Sequence, residues 1–159
     1  MSPRDQKKNQ PNSSAAVTAI AALKIISLRH AGPVDHAAAF RWPVRIYWED
    51  TDAAGIVFYA NYLKFFERAR TEWLRSLGFG QEQLRMDAGI AFVVSETRLR
   101  YRRPARLDDL IDVSVAVAHL GQASLEIVQE ARRADELLAD GTIRIGCVEL
   151  ATFRPCRIP

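Results

Sequence analysis

The stretch of the sequence best suited to chemistry is a short acidic segment that runs into an apolar one. Residues 47–61 read Y-W-E-D-T-D-A-A-G-I-V-F-Y-A-N, with Asp50 and Asp52 two positions apart and Gly55 three residues further on. A carboxylate held still in such a turn can act as a nucleophile or a general base. A helix that begins directly after it offers unpaired backbone N–H groups, which polarise a carbonyl or bind an anion.

The two aspartates also admit other interpretations. Asp favours turns because its side chain bonds to its own backbone, so both residues could simply hold the loop. The pattern D-x-D-x-x-G also begins like a calcium-binding EF-hand loop. That interpretation fails because Ala54 occupies the fifth position and Asn61 the twelfth, where a bidentate Glu is required. Spacing alone therefore leaves turn capping and catalysis both open.

The elements that must position this segment follow from hydrophobic periodicity. Arg41–Trp48 alternates like a strand, and Ala60–Leu77 repeats large apolar residues at helical spacing until Gly78. Four later segments read as strands: Ile90–Tyr101, Leu110–His119, Ala123–Arg133 and Gly141–Arg154. Residues 120–122 and 134–139 are the predicted hairpin connections. One apolar helix among antiparallel strands predicts an α+β fold in which the curled sheet wraps around one long central helix.

Composition excludes several classes of protein. The chain has 159 residues, which suggests one domain, and a net charge of +3. Residues 1–40 hold five basic and two acidic groups, which leaves 17 of each in residues 41–159. A neutral domain is a poor candidate for binding nucleic acid. Cys147 and Cys156 are too few for a disulfide framework and have no metal-site spacing, so we expect reduced thiols and a cytoplasmic location.

The first 39 residues differ from the rest of the chain. Residues 1–14 are polar and basic, which is typical of disorder, and Ala15–Leu28 is apolar but too interrupted to span a bilayer. A basic start followed by an apolar run also fits a secretory signal, although Lys24 within the run argues against it. We therefore expect a flexible or loosely structured tail over residues 1–39 and a folded domain over residues 40–159.

The acidic segment carries a family resemblance. D-T-D-A-A-G-I-V-F-Y-A-N-Y, followed by L-K-F-F-E-R-A-R-T-E-W-L-R, resembles the hotdog-fold acyl-CoA thioesterases. The sequence is most similar to the 4-hydroxybenzoyl-CoA thioesterase family and its relatives associated with the Tol-Pal system. The resemblance runs from about Phe40 to Pro159 and includes the end, C-V-E-L-A-T-F-R-P-C-R-I-P. It implies the hotdog fold, with its antiparallel sheet around the central helix.

The resemblance also assigns roles to residues of the acidic segment. It makes Asp52 the catalytic carboxylate, leaves Asp50 structural, and directs the backbone N–H of Tyr59 at the thioester carbonyl. Many Tol-Pal-associated relatives have His where this chain has Tyr59. Gly55 would allow close approach of the substrate. Glu67 is a weaker catalytic candidate, because another hotdog branch uses a carboxylate on the helix; a bond to Arg68 or Arg70 is the alternative.

Coenzyme A needs cations for its phosphates. An arginine-rich stretch lies between residues 98 and 106, and from it we predict Arg102 and Arg103 as substrate-binding residues, against the alternative of a solvated strand face. The 4-hydroxybenzoyl-CoA enzyme has its basic cluster at a later hairpin, where this chain has Gly121 and Ser124 and no arginine. Those two residues are predicted to contact substrate through backbone or hydroxyl groups. Ser95 lies on a strand that in the family faces the site across a subunit boundary.

The sequence therefore predicts hydrolysis of an acyl-CoA thioester to a free acid and CoA, with no cofactor and no metal. A homodimer, often paired into a tetramer, is expected, and the other candidate partners are acyl carrier protein and membrane-associated Tol-Pal proteins. One alternative is a non-catalytic hotdog protein that binds acyl-CoA or acyl carrier protein. Another is a dehydratase of fatty-acid synthesis, for which His119 is poorly placed. Serine-hydrolase, P-loop, Rossmann and zinc patterns do not occur in the sequence.

Overall fold

A computed structural model describes residues 39–159 of the chain, and the predicted tail lies almost wholly outside the described residues. The elements follow the predicted order of one strand, one long helix and four strands. They are β1 (Phe40–Arg45), a 3₁₀ helix (Trp48–Asp50), α1 (Asn61–Ser76), α2 (Gln81–Ala88), β2 (Ile90–Tyr101), β3 (Leu110–Leu120), β4 (Ser124–Arg133) and β5 (Glu136–Glu149). No helix within residues 39–159 is long and apolar enough to cross a membrane.

The five strands form one antiparallel sheet in the order β1-β3-β4-β5-β2. Long hairpins join β3 to β4 and β4 to β5, because each pair is consecutive in sequence. The chain reaches the far edge of the sheet through α1 and α2, so β1 and β2 become its two edges. Of these, β2 is the longer, with 12 residues, and its outer side pairs with no other described strand.

The core lies between α1 and one face of the sheet. The helix buries the apolar stripe read from the sequence, including Tyr62, Phe66, Ala69 and Trp73, and Phe65 beside it is fully buried. Inward side chains of β3, β4 and β5 belong to the same buried cluster: Ile111, Val113, Val115, Ile127, Ile143 and Ile145. Each large buried side chain stabilises the fold by roughly 1.5–3 kcal/mol, which fixes the rotation of the helix against the sheet.

Three element boundaries differ from the prediction by more than one residue. β1 ends at Arg45 rather than Trp48, because the chain turns into the 3₁₀ helix. β5 begins at Glu136 rather than Gly141, since Ala134 adopts a positive φ of 50° and closes a hairpin much tighter than the six residues expected. β5 also ends at Glu149, after which the chain reverses at Phe153, whose φ is 54°. In these turns, residues other than glycine adopt the left-handed backbone conformation, so the residue types did not predict where the turns would form.

Candidate active site

The acidic segment forms a small hairpin between β1 and α1. Its two arms are paired at three successive levels: Phe58 N–H donates to the carbonyl of Asp50 (2.9 Å), Thr51 forms a bridge with Val57, and Asp52 N–H donates to the carbonyl of Ile56 (2.9 Å). The second arm of the hairpin returns to Asp50 at Phe58, the residue before Tyr59. The hairpin is therefore joined by hydrogen bonds to the segment that leads into α1.

Asp50 and Asn61 hold the base of this hairpin. The Asp50 carboxylate is buried and accepts a hydrogen bond from the backbone N–H of Tyr47 at 2.9 Å. Asn61, the first residue of α1, donates its side-chain amide to the Asp50 carbonyl (3.2 Å) and lies 3.4 Å from the carboxylate. The side chains of both residues are engaged in bonds within the hairpin, and the bonds of Asp50 are consistent with the structural role that the resemblance implies for it.

Asp52 lies at the exposed tip of the hairpin. Its Oδ1 accepts the N–H of Ala54 at 2.8 Å, and its carbonyl accepts the N–H of Gly55 at 2.9 Å. Gly55 has a φ of 72°, which closes the turn, and a Cβ there would meet nothing within 4 Å. Turn formation is therefore the reason for glycine at this position. The second carboxylate oxygen of Asp52 accepts no hydrogen bond from residues 39–159.

Tyr59 and Ala60 precede the helix, and each carries one backbone donor that the described residues leave unused. Within the described part of the chain, the N–H groups of Tyr59 and Ala60 donate to no acceptor, whereas Asn61 N–H donates to the Phe58 carbonyl. The Tyr59 carbonyl is occupied, since the Tyr101 hydroxyl donates to it at 3.0 Å. Burial raises the pKa of Tyr101, which keeps this donor protonated. Tyr59 is thus held through its carbonyl, whereas its N–H has no acceptor among the described residues.

A cavity of about 360 Å³ lies beside Tyr59. Its walls combine apolar and aromatic residues with two arginines; they comprise Ile56, Val57, Tyr59, Tyr62, Tyr101, Arg102, Arg103 and Pro104. Buried Tyr62 accepts the N–H of Ala105 at 3.2 Å through its hydroxyl, and burial raises its pKa. Asp52 is not among the lining residues of this cavity, although Ile56, opposite it in the hairpin, is.

Arg102 and Arg103 both line this cavity, but each is already paired with a carboxylate. Arg102 donates from Nε to Asp140 at 2.6 Å, and the Nε of Arg103 lies 3.2 Å from Glu136. An arginine whose charge is neutralised attracts a phosphate less strongly, because binding the phosphate must compete with the existing pair. The structure therefore places both residues near Tyr59 without leaving either charge free.

Ser95 and Ser124 line a different groove. It has a volume of about 470 Å³ and also includes Arg144 and Cys147. Ser95 stands at an irregularity in the pairing of β2 with β5, and its hydroxyl lies 3.3 Å from the carbonyl of Arg144. Gly121 is next to this groove, since its N–H donates to the Ser124 carbonyl at 2.8 Å. Within this single chain, the eight predicted site residues thus divide into the hairpin and its cavity, and this second groove.

A buried polar network under α1 was missing from the prediction. Gln129 of β4 is fully buried and donates to the carbonyls of Phe66 (3.1 Å) and Ser114 (3.2 Å). Its Oε1 accepts a hydrogen bond from Arg70 at 2.8 Å. Burial lowers the pKa of the Arg70 guanidinium, and the nearby Glu67 opposes that effect. The available signal was the position of Gln129, which alternates inward with Ile127 and Ala131.

Glu67 forms a different bond from the one expected. Its carboxylate accepts the hydroxyl of Thr71 at 2.7 Å, and no ion pair with Arg68 or Arg70 forms among the described residues. Glu67, Arg70 and apolar residues from α1, β2, β4 and β5 line a further cavity of about 120 Å³.

Within residues 39–159, no cluster of three or more His, Cys, Asp or Glu side chains could hold a metal ion. His119 is exposed beside a hairpin.

Comparison with known proteins identifies relatives of the whole folded region. The sequence model of the thioesterase superfamily matches residues 54–139. Acyl-CoA thioesterase YbgC of Haemophilus influenzae is 42% identical over 120 residues, which cover 76% of this chain and 88% of that protein. Acyl-CoA thioester hydrolase YbgC of Escherichia coli is 41% identical over 121 residues, covering 76% and 90% of the two chains.

Solved structures agree with the sequence relatives. A probable thioesterase from Bartonella henselae superposes with a TM-score of 0.73 at 31% identity, covering 77% of this chain and all of that one. A gentisyl-coenzyme A thioesterase gives a TM-score of 0.70 at 28% identity, covering 75% of this chain and 95% of the other. The hotdog arrangement expected from the sequence is therefore confirmed.

Proposed function

The chain belongs to the thioesterase superfamily, and from that premise we propose that it hydrolyses acyl-CoA thioesters to a free acid and CoA. Its resemblance to proteins named acyl-CoA thioesterases extends over three quarters of the chain, including the hairpin and α1. The observation that carries the proposal is the N–H of Tyr59, which lies at the start of the helix, seven residues after Asp52, and donates to no acceptor among the described residues.

The start of α1 would act on the thioester carbonyl. During acyl transfer, negative charge builds on the carbonyl oxygen, and donors that are fixed in advance stabilise this charge without reorganising. The Tyr59 N–H is held on both sides: the carbonyl of its own peptide group, that of Phe58, accepts the Asn61 N–H at 2.9 Å, and the Tyr101 hydroxyl holds the following carbonyl, that of Tyr59. The partial positive charge of the helix N-terminus adds to the effect. The tyrosine side chain is not required for this role.

Asp52 would supply the nucleophile or activate it. In the first route, its free oxygen attacks the carbonyl carbon and expels CoA as a thiolate, and water then cleaves the resulting anhydride to release the acid. In the second route, Asp52 takes a proton from a water molecule that attacks directly. The routes differ in the origin of the new oxygen. In ¹⁸O-labelled water, only the first route can put the label into Asp52 in a single turnover, and it does so when water attacks the anhydride at the Asp52 carbonyl carbon, so that the released acid carries away an oxygen of Asp52.

A second copy of the chain would complete the site. β2 presents a 12-residue open edge, and such an edge is usually paired or covered in native proteins. Ser95 lies on this strand, and Tyr101 at the end of the same strand binds the Tyr59 carbonyl next to the hairpin. Pairing of β2 with the β2 of a second copy would let one protomer contribute residues to the hairpin of the other. We propose a homodimer with shared sites, and two such dimers would form the tetramer.

The direct test is the Asp52→Asn variant, which keeps the bond to Ala54 through its side-chain oxygen. Turnover of acyl-CoA should fall by at least ~100-fold, the scale of losing a positioned base or nucleophile. CoA release across aromatic, short aliphatic and long aliphatic thioesters, followed with a thiol reagent, measures it. Asp87→Asn, an exposed change on α2, is the matched control. Near-normal turnover in the Asp52 variant would remove the catalytic assignment of Asp52, whereas absence of CoA release by the unchanged protein from every thioester tested would favour the acyl-CoA-binding alternative.

A further inference from the structure

The segment Ala105–Asp109 lies against both ends of the catalytic hairpin. On one side, the backbone of Ile46 exchanges hydrogen bonds with this segment: its N–H donates to the Asp109 carbonyl at 2.9 Å, and its carbonyl accepts the Asp108 N–H at 3.1 Å. On the other side, Val57 N–H donates to the Ala105 carbonyl at 2.9 Å. The segment is therefore fixed relative to the hairpin that carries Asp52.

Arg106 is the cation that this segment presents. Its backbone forms a bridge with Ile56, the residue opposite Asp52 in the hairpin. Its N–H donates to the Asp109 carboxylate at 2.8 Å, and its carbonyl accepts the Asp109 N–H at 3.1 Å, so the main chain is held on both sides. The side chain is exposed to solvent. A main chain held by hydrogen bonds beneath an exposed, charged side chain suits the binding of a ligand from solution.

The charge of Arg106 is not compensated by the described part of the chain. No carboxylate of residues 39–159 lies within 4 Å of its guanidinium, because Asp109 instead pairs with Arg133 at 2.6 Å. Arg102 and Arg103, by contrast, are paired with Asp140 and Glu136. Arg106 is therefore better able to bind an anion than the two arginines selected from the sequence.

The surroundings of Arg106 suit a nucleotide. Tyr47 and Trp48 directly follow Ile46, which is bonded to the same segment, and they are 61% and 79% exposed. Exposed aromatic rings of this kind stack on nucleobases, and a base on an aromatic side chain next to a phosphate on arginine is a common combination. Arg45, also adjacent, donates to the Asp108 carbonyl at 2.6 Å and adds a second positive charge.

From these observations we propose that Arg106 binds a phosphate group of the CoA moiety of the substrate. The proposal rests on the proposed thioesterase function. A guanidinium forms paired, charge-assisted hydrogen bonds with a phosphate, which strengthen binding of the coenzyme without touching the reacting carbonyl. Arg106 thus contributes to the binding of acyl-CoA, and the chemical step does not depend on it.

The test compares Arg106→Ala with the unchanged protein on three forms of one acyl thioester. These are the CoA ester, the 3′-dephospho-CoA ester and the pantetheine ester, which has no phosphate. The variant should raise KM for the CoA ester by roughly tenfold, as expected for loss of one charge-assisted phosphate contact, with kcat nearly constant. KM for the pantetheine ester should not change. If the variant does not raise KM for the 3′-dephospho-CoA ester, Arg106 contacts the 3′-phosphate. If KM for that ester still rises, Arg106 contacts the pyrophosphate.

Two further variants serve as controls. Arg106→Lys retains the charge without the paired geometry and should recover part of the affinity. Arg68→Ala removes an equally exposed positive charge from α1 and should leave KM unchanged, which excludes a general effect of net charge. Calorimetric titration of CoA into the unchanged protein and Arg106→Ala tests the contact without turnover, with an affinity at least fivefold weaker expected for the variant.

The outcomes separate this proposal from the proposed function. An equal rise in KM for the pantetheine ester, no rise for the CoA ester, or equal CoA affinity of the two proteins would overturn the role of Arg106. A protein that hydrolyses none of the three esters would instead overturn the thioesterase function. In that case, the calorimetric comparison still decides whether Arg106 contacts CoA.

Discussion

The buried contact between Gln129 and Arg70 should be a large contributor to stability. In the Gln129→Leu variant, a side chain of similar size loses a hydrogen bond to a charged group and two bonds to backbone carbonyls. A bond to a charged group contributes about 1.5–3 kcal/mol, and a neutral one contributes about 0.5–1.5 kcal/mol. Part of this loss is offset by burial of the apolar leucine, so we expect a decrease in the free energy of unfolding of about 2–4 kcal/mol.

The assay is thermal and urea unfolding followed by circular dichroism at one fixed protein concentration, because assembly of subunits would otherwise alter the apparent stability. A loss of about 2–4 kcal/mol corresponds to a decrease in Tm of roughly 4–16 °C for a domain of this size. Gln122→Leu, an exposed change of the same chemistry, is the control and should alter stability by no more than about 0.5 kcal/mol.

A double-mutant cycle tests the reasoning itself. Arg70→Leu alone also leaves a buried partner unpaired, so it should destabilise the protein. The pair Arg70→Leu and Gln129→Leu should cost less than the sum of the two single changes by at least about 1 kcal/mol, since each single change already breaks the shared bond. Strict additivity, or a Gln129→Leu variant as stable as the control, would show that the network does not tie α1 to the sheet.

Two other predictions concern close packing in β5. Gly141→Ala should lower the free energy of unfolding by about 1–3 kcal/mol, because the new Cβ would lie 2.7 Å from the carbonyl of Arg98 and force β2 away from β5; Gly80→Ala, whose nearest contact would be 3.7 Å away, should change the urea midpoint little. Burial and the neighbouring thiol of Cys156 raise the pKa of Cys147 to about 12, so at pH 8 its thiol stays protonated. Alkylation of Cys147 by iodoacetamide, followed by mass spectrometry, should therefore be at least ~100-fold slower in the native protein than in the urea-unfolded chain, and equal rates would refute the assigned environment.

The sequence was sufficient for the fold because the pattern along α1 and the strands is unambiguous. Apolar residues recur every three or four positions from Tyr62 to Trp73, and this spacing admits only a helix with one buried face. The order of one helix and four later strands then leaves few compact arrangements. Turn chemistry was less informative, because Ala134 and Phe153 adopt positive φ values that their residue types do not signal.

The candidate site was only partly accessible from the sequence. The D-T-D-A-A-G motif identified the loop, whereas the different roles predicted for Asp50 and Asp52 came from the family resemblance, because spacing alone left turn capping and catalysis open for both. Which cations remain free could not be predicted, since Asp140 and Glu136 neutralise Arg102 and Arg103 from about 35 residues further along the chain. Ion pairs of this kind depend on strand register, and register is a property of the folded sheet.

The sequence by itself determined the element order, the buried face of α1 and the position of the acidic loop, because each depends on neighbours within a few residues. Only the tertiary structure decided that Gln129 lies beneath α1, that Arg106 stands beside the hairpin without a carboxylate partner among residues 39–159, and that Tyr101 binds the Tyr59 carbonyl. Each of these contacts joins residues more than 40 positions apart, and such pairs meet only when the strands have aligned and the helix has packed against them.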